Sequence, residues 1–293
     1  MAQLSHSATT QFTRPGAQRS IFIGDLRVTY LPDGVGLLNP GMWLPGASED
    51  LWIDHAHLID PDGWLTASLG ALLIEHGDRA MLIDTGFGPL SVPTDVGTLH
   101  GGGLLDSLAA AGKNPADIEL IAVTHLHLDH IGWLCLTPEP GPFAHSRVVV
   151  GETEWARTDL AIADGTAQVF LDRFSRQVTT ITAGEEIFPG VRAIALPGHS
   201  LGHTGYLVTS RGQRLAAIGD ALTTPLQVTH PDLTAAPDDD PIASRRTAAR
   251  LIDDLAAPGT LGFAVHFADA QFGHITHHTT DGYRWNPHAP GLR

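Results

Sequence analysis

Along the chain, short apolar runs alternate with breaks rich in glycine and proline, and the period of each run predicts an element. IFIGDLRVTYL (21–31) reads as paired strands near a turn. Residues 32–65 lack a sustained period and read as a loop-like insert carrying Trp43, Trp52 and Trp64. Residues 66–86 read as strand, Gly-Asp turn, strand. GLLDSLAAAG (103–112) is helical, with Gly112 as its stop. Strands follow at 117–125 and from 147, then a mainly helical stretch over 152–178. Further strands are predicted at 190–199, 204–210 and 214–220. Residues 241–259 form an amphipathic helix whose Ala248, Leu251, Ile252 and Leu255 share one face. LGFAVHF (261–267) is the last clear strand. This order suggests two packed sheets with helices outside them. Residues 1–18 are polar and read as a mobile tail or arm, and residues 19–293 as a single domain.

Several of these apolar runs end in a residue able to bind or orient a metal: Asp84, His125, His199, Asp220 and His266. Strand ends at one sheet edge converge in space, and functional side chains often sit on the loops there. THLHLDH (124–130) adds His127, Asp129 and His130. In an extended segment, side chains at i and i+2 point the same way, so His125 and His127 can grip one ion. Asp129 and His130 follow as the chain turns into a helix and can address a neighbouring ion. Imidazole and carboxylate without thiolate suit zinc, iron or manganese. The candidate ligands outnumber what one catalytic zinc takes, which implies two ions.

Composition narrows the partners. The 293 residues are 43% apolar and can bury a large core. The net charge of −15 and the absence of a basic stripe argue against nucleic acid. A neutral or weakly charged small-molecule substrate is expected. No run of 18 apolar residues exists for membrane insertion. The N-terminal stretch has no signal-like apolar region, and a single cysteine, Cys135, leaves no internal disulfide. A cytoplasmic location is the expectation. Cys135 lies in WLCL, which reads as buried, inert helix. Ser200 lacks a G-x-S-x-G setting, so a serine triad is not expected. The run Asp238-Asp239-Asp240 precedes a helix and reads as its cap. His55-x-His57 reads as surface or lid, and His203 as packed or hydrogen-bonded within the site.

LIDTG, THLHLDH, PGHSLGHTGY, GD and VHF, in this order, make the chain resemble the metallo-β-lactamase-fold superfamily over roughly residues 21–285. The resemblance implies an α+β fold, a four-layer αββα sandwich with a dinuclear metal site at one edge of the two sheets. It implies His125, His127 and His199 on one metal, Asp129, His130 and His266 on the other, and Asp220 between them. Asp84 would orient a ligand histidine. The ions would be two divalent cations, zinc first, with iron or manganese as alternatives. A looser resemblance, carried by residues 219–256, HFADAQFGHI and GYRW, points to the methyl-parathion-hydrolase-like and lactonase branch. By analogy with that branch, the N-terminal arm could support a homodimer. The best-known quorum-quenching lactonases carry a tyrosine three residues after the bridging aspartate, where this chain has Thr223.

The implied reaction is hydrolysis: a bridging hydroxide opens a lactone or cleaves a carboxylic ester, with Asp129 and Asp220 as the carboxylates nearest the chemistry. A phosphotriesterase or thioesterase on the same metals is the alternative. A metal-binding protein without turnover is the alternative of another class.

Overall fold

The computed structural model describes residues 10–278 and 282–288. Its frame is two facing sheets. The first has strand Leu65–His76 near its centre, flanked by Leu26–Leu38 and Arg79–Ile83. It runs on through Leu120–Ala122 and Arg147–Gly151 to Val178–Ile181. Leu65 to Ile74 are buried without a break, as expected of a strand covered on both faces. The second sheet runs in order Glu186–Phe188, Val191–Ala195, Thr204–Ser210, Gln213–Ala217, Thr260–Phe263, Phe272–His278, Gly282–Pro287.

Side chains of both sheets meet in one shared core. Val28, Leu72, Ile74 and Met81 of the first face Ala193, Val208, Leu215 and Phe263 of the second. The outer face of the first sheet is covered by helices Leu104–Ala110, Leu128–Cys135 and Gln168–Phe174. The outer face of the second is covered by helix Pro241–Leu255, through Ala248, Leu251, Ile252 and Leu255. These are the four layers of the αββα sandwich.

The expected order of elements is present, with informative differences. The insert over 32–65 is not all loop. Strand Leu26–Leu38 continues through Pro32, with its register shifted between Pro32 and Gly34, and helices Pro40–Trp43 and Glu49–Asp54 follow. The shift frees Asp33 to turn inward. Its buried carboxylate accepts from the backbone N–H of Phe87, Gly88, Gly102 and Leu104 and from the Trp133 indole. The chain also forms strands at Ser91–Thr94 and Gly97–His100, and two after residue 271. The last two pair with each other and complete the second sheet. Helix 152–178 is broken into three short helices and a 3-10 turn.

Residues 10–17 of the expected tail lie against the body. Gly16 N–H donates to Ser68 Oγ at 2.7 Å, Ala17 N–H donates to Asp269 Oδ1 at 3.1 Å, and Arg14 pairs with Asp269 at 2.6 Å. Residues 1–9 lie outside the described residues. Among the described residues, no helix is long and apolar enough to cross a membrane.

Candidate metal centre

Strand direction explains why the candidate residues meet. Arg79–Ile83 and Leu120–Ala122 run parallel, so Asp84 and His125 leave the first sheet at the same edge. Gln213–Ala217 and Thr260–Phe263 are also parallel, which brings Asp220 and His266 to the matching edge of the second. Val191–Ala195 is two antiparallel steps from Gln213–Ala217 and so points the same way, delivering His199. Asp129 and His130 lie in the first turn of helix Leu128–Cys135.

All seven predicted ligands come together. Donor atoms of His125, His127 and His199 lie within 4.8 Å of one another, and so do those of Asp129, His130 and His266. Asp220 stands between the groups. Its Oδ1 is 3.3 Å from His130 Nε2 and 3.1 Å from His266 Nε2, while its Oδ2 is 3.4 Å from His199 Nε2.

Most of the imidazoles have one ring nitrogen committed elsewhere. His130 Nδ1 lies 2.9 Å from Asp84 Oδ2, and His199 Nδ1 lies 2.9 Å from Asp238 Oδ1. His266 Nδ1 donates to the Ser68 carbonyl at 2.9 Å. The Thr124 hydroxyl donates to Asp84 Oδ2 at 2.9 Å, which leaves it to accept from His125 Nδ1 at 3.0 Å. These bonds set the tautomers and turn each Nε2 lone pair inward. His127 is reversed: its Nε2 faces Asp164 at 3.5 Å and its Nδ1 faces His199 Nε2 at 3.1 Å. With the outer nitrogens carrying the protons, two lone pairs confront each other there.

The donor set fits divalent cations. His125 Nε2, His130 Nε2 and Asp220 Oδ1 are buried with no hydrogen-bond partner, a costly state unless something positive sits among them. The titration shifts carry the same message. Burial alone would push the imidazoles of His130, His199 and His266 down, yet the surrounding carboxylates, Asp220 prominent among them, raise all three. Burial would raise Asp220, but His266 and His130 hold it well below the usual carboxylate range. His125 goes the other way, lowered by burial and by His130 and His127. The cluster calls for positive charge, which protons or cations could supply.

The remaining predictions resolve individually. Asp84 has φ 59°, an unusual left-handed conformation for a non-glycine residue, and so carries local strain. That turn aims its carboxylate at Thr124 and His130. Of the acidic run read as a cap, only Asp240 caps the helix, accepting from Ile242 and Ala243 N–H. Asp238 instead orients His199, a partner hidden from the sequence because the two are far apart along the chain. His203 accepts the Asp220 N–H at Nε2, and burial together with His199 lowers it to about 3, so it is a neutral support. Ser200 donates to Glu154, and among the described residues its hydroxyl has no hydrogen bond to a histidine. Trp133 and Phe272 are core. Thr223 is fully engaged: its hydroxyl accepts from Trp43 Nε1 at 2.9 Å and donates to Gln227 at 3.1 Å. His55 and His57 lie on the insert, their rings 6.0 Å apart, and neither belongs to the clustered groups.

The family model described as the metallo-beta-lactamase superfamily matches residues 71–259. The chain belongs to that superfamily. Its members here include a mouse metallo-beta-lactamase domain-containing protein 1, 28% identical over 206 residues, 69% of this chain and 71% of the relative. An N-acyl homoserine lactonase of Bacillus thuringiensis is 25% identical over 173 residues, 53% of this chain and 65% of that protein, so just under two thirds of its length is spanned. Among solved structures, the hydrolase AbOPH aligns with TM-score 0.80 at 22% identity, covering 94% of this chain and 99% of the other. AidC, described as a dizinc quorum-quenching lactonase, aligns with TM-score 0.80 at 20% identity over 94% and 98%. The chain is thus a superfamily hydrolase with the fold expected of it, and its clustered His and Asp side chains are suited to divalent metal.

Proposed function

We propose that the chain is a dinuclear metal-dependent hydrolase that opens lactones, or cleaves uncharged carboxylic esters, bearing an apolar acyl group. The observation that carries this reading is a slot beside His266, lined by Phe12, Leu38, Trp43, Leu58, Leu65 and Phe267 among others. No lysine, arginine, aspartate or glutamate lines it. An apolar wall next to a polar reaction centre suits an acyl or alkyl chain. A thioester of an anionic carrier would need cations at this point. Arg245, Arg246 and Arg250 are exposed on helix Pro241–Leu255, and none lines the slot. The lactonase relatives support the same substrate class.

His125, His127 and His199 would hold one cation, Asp129, His130 and His266 the second, and Asp220 would span both; zinc is the first candidate. Such ions would supply a water acidified to a pKa of about 7 and a positive site for the oxygen that gains charge. The chain's own groups do the rest. Asp84, Asp238, Thr124 and the Ser68 carbonyl fix the histidine tautomers. Asp129 is the more open carboxylate, 20% exposed against 4% for Asp220, and would be the one to exchange a proton with the departing oxygen. The slot would have to open to receive the acyl chain. Its free volume is about 20 Å³, roughly the room of one water, so a longer chain enters only as Trp43 or its neighbours give way.

The test is hydrolysis of an acyl-homoserine lactone, an aryl ester, a phosphotriester and an acyl thioester at matched concentrations, with a chelated control. A chelator-sensitive lactone or ester rate well above the others supports the proposal. A dominant phosphotriester or thioester rate overturns the substrate, and metal uptake without turnover on any of them overturns the enzyme. His125→Ala and Asp220→Ala should both abolish turnover and lower metal content; normal rates would sink the ligand assignment.

A further inference from the structure

One buried carboxylate outside the cluster joins the two loops that carry three of its histidines. Glu154, in helix Glu152–Ala156, is 5% exposed. Its Oε1 accepts from the N–H of Leu126, the residue between His125 and His127, at 2.9 Å. Its Oε2 accepts from Ser200 Oγ at 2.6 Å and from Gly202 N–H at 3.2 Å, both in the loop that begins at His199. The loop lies flush on the helix, since a Cβ at Gly202 would stand 2.0 Å from Glu154 N.

This matters because His125, His127 and His199 sit on irregular backbone, which by itself does not hold a donor atom to the tolerance a metal needs. Thr124 and Asp238 orient the rings of His125 and His199 but do not join their loops, whereas Asp129 and His130 ride together on one helix. No hydrogen bond joins Glu154 to that second group among the described residues. We propose that Glu154 is a positioning residue: it clamps the 125–127 loop to the 199–202 loop and so sets the affinity of the His125, His127, His199 group for its cation, leaving the other group alone. The inference rests on the reading that the cluster takes two cations.

The test is chelator competition on the metal-loaded protein, following how much of each bound cation is released. Glu154→Gln keeps the size of the side chain but sets an NH2 group against either the Leu126 N–H or the Ser200 and Gly202 donors. One cation should leave at roughly 10- to 100-fold lower chelator activity than in the parent, the scale seen when partners of metal ligands are removed, while the second leaves as before. Ser200→Ala, which removes one donor of three, should weaken the same cation by a smaller factor and covers the case in which Glu154→Gln does not fold. Release of both cations as in the parent, or earlier release of both by one factor, overturns the proposal. A parent protein that binds no metal would overturn this inference and the two-cation reading together.

Discussion

At the scale of single residues, the centre is organised by what the histidines do with their outward nitrogens. Asp84 and Asp238 each accept a hydrogen bond from one such nitrogen, which keeps the inward nitrogen free and basic. Asp84→Asn is the cleaner probe of the pair, because asparagine tolerates the left-handed backbone that Asp84 adopts. Each of Asp84→Asn and Asp238→Asn should cost about 10- to 100-fold in metal affinity, measured by chelator competition; parent-like affinity in both would show the carboxylates to be idle. Cys135 makes an opposite point. Burial pushes its thiol up to about 12, with Arg173 opposing, and thiolate appears only as pH approaches that value. Iodoacetamide at pH 8 should leave the folded protein unmodified and label it in denaturant. Rapid labelling of the native form would contradict the buried placement.

At the scale of elements, the strands and helices that feed the centre were legible, because each is a contiguous run with its own period. The residues that tune the centre were not. Asp238 reads as one more acid before a helix, and nothing in the mainly helical stretch 152–178 singles out Glu154. Their partners lie 39 residues away for Asp238 and between 28 and 48 for Glu154. The missed strands Ser91–Thr94 and Gly97–His100 have no buried residue at all, so no apolar alternation announces them. Asp240, by contrast, fulfils the capping role read for the whole run. Asp240→Ala should remove two side-chain bonds to the first turn of helix Pro241–Leu255 and destabilise the protein by about 1 kcal/mol. Urea unfolding would show it as a lower midpoint with unchanged slope. An unchanged midpoint would mean that packing of Ala248 and Leu251 carries the helix without its cap.

At the scale of the whole molecule, the cluster joins both sheets at one edge, with His and Asp side chains drawn from each. A cation held there binds the folded chain and has no such site in the unfolded one, so it stabilises by mass action, about 2.7 kcal/mol when present at 100 times its dissociation constant. Thorough chelation should therefore lower the unfolding temperature, and added zinc should raise it with the free-ion concentration. An unfolding temperature indifferent to both would contradict a resident metal. The acidic balance of the chain, −15, works in the same direction by favouring cations near the surface.

The slot beside His266 has a wall of mixed origin. Phe12, Trp43 and Leu58 come from the arm and the insert, and Thr223 and Pro225 from the segment after Asp220. The clustered side chains instead sit on short loops and a 3-10 turn just past strand ends, or at the start of helix Leu128–Cys135. On the proposed function, choice of substrate and cleavage of the bond would thus be written on different stretches of the chain. A change in length or sequence between residues 40 and 64 can reshape what is admitted without moving a ligand. For a lineage under selection, that makes new diets reachable by small steps, and for a designer it marks the insert as the first segment to randomise.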